Sequence, residues 1–194
     1  MYDWIVTTLV GIQTATRVVL AADSQVTEDN LRSIVTSAPK IVEVGKYLLG
    51  ITGDTRPGDI LTYNWKPPAP KYAESPIHFM GRKVIPSIMQ TFRDNGYDYA
   101  EALKEKDSGF DYLLAFNGNL FHIACDLSFF QSQYGVYGLG TGGQFAMGYL
   151  YSVVKPTGIP FTRAEAIARR AIEIASVLDI NTSPPIQLVI QERI

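Results

Sequence analysis

Thr7-Thr8-Leu9-Val10-Gly11-Ile12 opens the chain's first apolar run, and Ala21-Ala22-Asp23-Ser24 closes the second. Between them stand Gln13-Thr14-Ala15-Thr16-Arg17 and then Val18-Val19-Leu20. Short apolar runs on either side of a polar turn read as paired strands, over about 4–12 and 17–23. A threonine stands near the start of one strand, and an aspartate sixteen residues later stands at the end of the other. An antiparallel hairpin brings those two positions to the same end of a sheet.

Further along, residues 33–36 and 40–44 read as a shorter strand pair around Ala38-Pro39, and Tyr47 to Thr52 is another apolar run closed by Gly53-Asp54. A short helix is expected next, then a stiff exposed loop at Trp65-Lys66-Pro67-Pro68-Ala69-Pro70-Lys71, whose prolines stop helix and strand alike. Ile77, Met80, Val84, Ile88 and Phe92 recur at helical spacing, which predicts a helix from Pro76 to about Arg93 with a kink at Pro86. Asp111–Phe116 and Leu120–Cys125 flank Asn117-Gly118-Asn119, a hairpin signal. Gly135–Leu139 then leads into Gly140-Thr141-Gly142-Gly143 and a helix from about Gln144 to Val153. Thr162-Arg163-Ala164-Glu165 has the form of a capping box, opening a helix to about Leu178, and residues 185–192 form a last strand. Strands, helices, strands, helices, strand is the order of an α+β chain with two antiparallel sheets between two helical layers.

Composition narrows the class. The 194 residues are 46% hydrophobic, enough for one domain with an ample core. A net charge of −2 gives no reason to expect nucleic acid or an anionic membrane as partner. One cysteine, Cys125, excludes an internal disulfide framework and fits a reducing compartment. It reads as a mid-strand core residue. No apolar run reaches the roughly 20 residues of a membrane helix, and the first residues lack a secretion signal, so a cytoplasmic location is expected. His78 and His122 have no second ligand at metal spacing, so no metal site is proposed.

Taken singly, the polar residues have plain explanations. Thr7-Thr8 suits a strand, Asp23 a strand-end turn, Lys40 a solvated charge and Asp179 an exposed helix end. Gly140-Thr141-Gly142-Gly143 could open any helix or cradle a phosphate, but no Gly-Lys-Ser/Thr follows to make it a Walker loop. Jointly, and in order, they resemble the proteasome β-type family of N-terminal nucleophile hydrolases, most of all its simple bacterial or phage-encoded members. The resemblance covers nearly the whole chain and implies a four-layer αββα sandwich.

It also implies roles. Thr7 is the nucleophile and its free α-amine the base. Asp23 pairs with Lys40, which stands one residue beyond the common family spacing. Thr141, Asp179 and Thr182 orient the amine and a water, with threonine at both positions where serine is usual. Gly50 supplies an oxyanion N–H, worth about 3 kcal/mol. Thr27 pairs with the substrate strand, and Val26, Leu48 and Thr52 line an apolar specificity pocket. The chemistry is sound because an α-amine titrates near about 8 and a free lysine near about 10.4, so only the amine is neutral at working pH. A neighbouring ammonium depresses that amine further.

The resemblance calls for no cofactor. It implies a homo-oligomeric ring or spiral with its cleft facing inward, a polypeptide substrate, and an unfoldase partner for a sealed chamber. Phe145, Tyr149 and Tyr151 are candidates for subunit contacts or for core. An active member exposes its threonine as residue one, so residues 1–6 read as a short leader, ending in Val6 where glycine is usual. The leader is cut on assembly, cut with a partner's help, or never cut. In the last case the Thr7 nitrogen stays an amide and cannot take a proton. The chain is then a non-catalytic ring- or shell-forming protein, as the α-type subunits are.

Overall fold

A computed structural model describes residues 7–28, 32–70, 74–102, 109–155 and 158–193. Eleven strands are described: β1 (Thr8–Gln13), β2 (Arg17–Ala22), β3 (Gln25–Glu28), β4 (Arg32–Val35), β5 (Ile41–Val44), β6 (Tyr47–Gly53), β7 (Phe110–Phe116), β8 (Asn119–Ile123), β9 (Phe129–Phe130), β10 (Val136–Gly140) and β11 (Gln187–Glu192). The helices are α1 (Thr55–Asn64), α2 (Pro76–Phe79), α3 (Ile85–Asp94), α4 (Tyr99–Ala102), α5 (Gly143–Val153) and α6 (Phe161–Leu178). No helix among the described residues is long and apolar enough to cross a membrane.

Two antiparallel sheets stack face to face, one ordered β10-β1-β2-β11 and the other β5-β6-β7-β8-β9. Three apolar layers result. Leu9, Leu20, Ala22, Leu48, Leu113 and Leu120 fill the space between the sheets. Val10, Ile12, Val19 and Ala21 face α5 and α6, where Ala164, Ala168, Ala171 and Ala175 let α6 lie close. Tyr47, Leu49, Tyr112, Leu114 and Phe121 face α1 and α3 through Ile60, Leu61, Ile88 and Phe92. The architecture is the αββα sandwich. Strands covered on both faces are apolar throughout, which is why β1, β2 and β7 do not alternate in polarity.

Four local expectations are corrected. Residues 33–36 and 40–44 do not pair with each other: β4 pairs with β3, and β5 pairs with β6. Helix α6 starts at Phe161, after Pro160, with no side-chain cap, so Thr162 lies inside the first turn and the capping box does not form. The predicted helix from Pro76 is interrupted by a π-helical turn over Met80–Val84. Pro86, which has no N–H to donate, stands two residues past its end and accounts for the irregularity. Cys125 lies beyond the end of β8 in a turn, half-buried against the aromatic layer. The short β3–β4 ribbon, β9 and α4 carry little periodicity and are not evident from sequence. Residues 4–6 of the first predicted strand lie outside the described residues.

Sheet-on-sheet contact depends on two glycines. A Cβ on Gly11 would sit 2.7 Å from Leu113 Cδ1 and Leu120 Cδ2, and one on Gly50 would sit 2.8 Å from both Leu9 methyls. Each glycine accepts a leucine from the opposite sheet. Gly50→Val is therefore expected to cost about 1–3 kcal/mol through overpacking, read as a lower urea midpoint with an unchanged slope.

Candidate active site

The ends of β1, β2, β6 and β10 gather polar residues at one edge of the sandwich. Alternation along β1 sends Leu9 and Gly11 between the sheets and Val10 and Ile12 toward the helices. Extended one step back, it places Thr7 on the inter-sheet side and Thr8 on the helix side. Both are fully buried.

Asp23, just past the end of β2, holds the centre. Its Oδ1 accepts from the Thr8 backbone N–H at 2.9 Å and from Lys40 Nζ at 2.8 Å. Its Oδ2 accepts from the backbone N–H groups of Gln25 at 2.9 Å and Ser183 at 3.4 Å. Lys40 Nζ also donates to the Gln25 carbonyl at 2.5 Å. Burial pushes the Lys40 ammonium below the usual lysine range, and the adjacent Asp23 carboxylate pulls it back up. The Lys40 main chain is held as well: its N–H donates to Gln187 Oε1 at 3.0 Å, and its carbonyl accepts from the Ile51 N–H at 3.0 Å. Gln187 is a positioning residue that sequence reading missed. A glutamine within a terminal strand gives no sequence signal.

On the helix side, hydroxyls line up around a carboxylate. Thr141 Oγ1 and Thr182 Oγ1 donate to Asp179 Oδ2 at 2.7 and 2.6 Å. Thr8 Oγ1 lies 2.6 Å from Thr182 Oγ1. With the Thr182 proton on Asp179, Thr8 is the donor of that contact, so Thr8 also belongs to the cluster. The turn at 140–143 must carry glycine here. A Cβ on Gly142 would overlap Thr8 Oγ1 and lie 2.7 Å from Thr182 Oγ1. Gly140 has φ +78°, and a Cβ there would overlap the Thr7 carbonyl oxygen. Among the described residues the buried Thr7 hydroxyl has no hydrogen-bond partner, and no group of residues is suited to a metal ion.

Strand alternation corrects three expected residues on β6. The Asp54 N–H donates to the Gly109 carbonyl, in the register that pairs Gly50 with Leu113. Bonding recurs every second residue, so the Gly50 N–H is spent inside the β6–β7 ladder. The Ile51 N–H faces β5 instead, and so does that of Gly53, beyond the point where β5 begins. Gly53, at φ +85°, therefore presents the free-edge N–H at the cleft, and Gly50 does not. Leu48 and Thr52 share the inter-sheet face with Gly50: Leu48 packs in the layer between the sheets, and Thr52 Oγ1 donates to the Asp111 carbonyl at 3.2 Å. Neither lines the pocket.

That pocket, about 210 Å³, lies on the opposite face of β6. Val26 lines it, with Pro39, Lys40, Val42, Ile51 and Gly53. Thr27 is buried, its hydroxyl accepting from Gln25 Nε2 at 3.0 Å.

Structural comparison places the fold. The chain superposes on BPH from Thiobacillus denitrificans with a TM-score of 0.72 at 21% identity, over 96% of this chain and 98% of that one. The same protein has been solved in complex with epoxomicin (TM-score 0.68, 21% identity, 96% and 98% covered). HslV from Trypanosoma brucei matches at 0.69 and 19% identity, over 95% and 99%. A helical assembly of the Anbu complex from Pseudomonas aeruginosa matches at 0.67 and 14% identity, over 96% and 81%. No protein-family model matches the chain, and neither does any curated protein sequence. The chain has the fold of the proteasome-like N-terminal nucleophile hydrolases.

Removing the Asp23 charge tests the electrostatics. Asp23→Asn leaves Lys40 buried without a counter-charge and is expected to cost about 3–5 kcal/mol. It also lowers the folded-state Lys40 pKa further. The unfolded chain then binds more protons than the folded one up to about pH 10.5, so variant stability should rise with pH across that interval. Chemical denaturation at pH 7 and pH 9.5 reads both effects.

Proposed function

We propose that the chain is a threonine peptidase subunit of proteasome-like type that hydrolyses peptide bonds through Thr7 once Thr7 is the N-terminal residue. The observation that carries this reading is one carboxylate oxygen. Asp23 Oδ1 holds both the Thr8 amide and the Lys40 ammonium, which fixes a cation beside the start of β1, where Thr7 stands. The Thr7 α-amine would take the proton of its own hydroxyl, and the ammonium beside it keeps that amine neutral at working pH. The hydroxyl oxygen then attacks the peptide carbonyl, and the Gly53 N–H stabilises the oxyanion. Thr141, Asp179 and Thr182 orient the amine. The protonated α-amine would return that proton to the departing amine as the C–N bond breaks, and a water then hydrolyses the acyl-enzyme ester, freeing Thr7 and the new carboxylate.

The substrate backbone has a natural seat. β3 has β4 on one edge and no strand on its other edge among the described residues, so an extended peptide can add beside Thr27. Its side chain next to the reacting carbonyl then falls into the Val26 pocket. Assembly into a homo-oligomeric ring or spiral fits the exposed Phe145 and Tyr151 on α5 and the exposed Val177, Leu178 and Ile180 at the end of α6.

Intact mass of the purified protein, before and after concentration and beside Thr7→Ala, tests the reading. A species lacking Met1–Val6 in the wild type and absent from the variant is the expected result. Full-length mass under every condition leaves an amide in place of the base, and the chain is then a non-catalytic shell-forming protein of the same fold.

A further inference from the structure

The pocket beside Lys40 and Gly53 carries one feature that the reading above leaves unused. Part of its wall is apolar and half-buried, formed by Val26, Val42 and Ile51. Another part is a stripe of α1, with Thr55, Asp59, Thr62 and Tyr63 facing the same space. Asp59 and Tyr63 are four residues apart, so they are neighbours on that helical face. The two charged residues lining the pocket are Lys40 and Asp59. Lys40 is neutralised by Asp23. The Asp59 carboxylate makes no hydrogen bond or ion pair among the described residues. The pocket lining therefore has a net negative charge, carried by the solvent-facing Asp59.

We infer that Asp59 makes this pocket select a lysine or arginine side chain, carried by the residue whose carbonyl is attacked. The placement on the acyl side rests on the proposed function, since it takes Gly53 as the oxyanion donor and Thr7 as the attacking group. Length agrees. Along α1, Thr55 to Asp59 spans about 6 Å at about 1.5 Å per residue, which is the reach of a lysine or arginine stem. The methylenes would lie against Val26, Val42 and Ile51, and the cation would end at the Asp59 carboxylate and the exposed Tyr63 ring. A glutamate in the same place would meet Asp59 with like charge. A leucine would cover the apolar wall and leave Asp59 to water. Because Asp59 faces solvent, the ion pair is worth no more than about fivefold in affinity.

Two measurements on the protein processed to Thr7 test this. The first is equilibrium binding of acetylated tetrapeptides ending in arginine, leucine or glutamate to wild type and Asp59→Asn, which needs no turnover. The second is kcat/KM for fluorogenic peptides with the same three residues before the cleaved bond. Arginine should bind more tightly than leucine, by up to about fivefold, with glutamate weakest. The arginine advantage should vanish in Asp59→Asn, and kcat/KM should rank the peptides in the same order. Equal binding of arginine and leucine, or an arginine preference that Asp59→Asn leaves unchanged, overturns the assignment. Asp59-dependent binding without hydrolysis of any peptide overturns the peptidase reading and leaves the pocket's charge selectivity standing.

Discussion

A buried carboxylate with four donors organises the functional end of this molecule. Asp23 is almost wholly removed from water, and its two oxygens accept from Thr8, Lys40, Gln25 and Ser183. These donors come from the start of β1, the residue before β5, the start of β3 and the loop before β11. An ionised carboxylate in such a place is stable only if its lone pairs are filled, so the four segments are held to one arrangement. Lys40 brings the opposing constraint. Its own burial disfavours the ammonium, and the Asp23 contact together with the Gln25 carbonyl compensates. Neither partner of the pair is tolerable there alone.

The second organising feature is close approach. Gly140 lets the turn after β10 pass over the Thr7 carbonyl, and Gly142 lets it pass over the Thr8 and Thr182 hydroxyls. Gly11 and Gly50 do the same for the two sheets, each receiving leucine methyls from across the interface. Side chains at any of these points would push apart layers whose contact defines the site. Threonines supply the three hydroxyls of the cluster on Asp179 Oδ2, while Asp179 Oδ1 accepts from the Asn181 backbone N–H at 3.2 Å.

Much of this was legible from local pattern. The hairpin of β1 and β2, the Asn117-Gly118 turn, the proline loop and the two C-terminal helices are each written in short stretches of sequence, because turn chemistry and apolar runs act locally. That Thr7, Asp23, Lys40, Thr141, Asp179 and Thr182 belong together is what the family resemblance implies, not something any local pattern shows. The errors have a common cause. Leu48, Gly50 and Thr52 were assigned to the cleft, yet a strand alternates, and all three face the other sheet while Ile51 and Gly53 face the pocket. In β6, buried on both faces, hydrophobicity carries no phase, so sequence could not tell one face from the other. Gln187 was missed because its role is a long-range contact with the Lys40 main chain, and long-range contacts leave no local trace.

Sequence alone determined the αββα class and the polar residues available at one end of the sheets. It could do so because strand and helix propensity, turn residues and residue identity are properties of short segments. Tertiary structure decided which N–H groups remain free, which face of β6 meets the pocket, that one oxygen of Asp23 serves both Thr8 and Lys40, and that the Asp59 carboxylate lines the pocket without a partner among the described residues. Those outcomes depend on register and on packing between segments far apart in the chain, and each is settled only when the hydrogen bonds of the whole sheet edge are accounted for together.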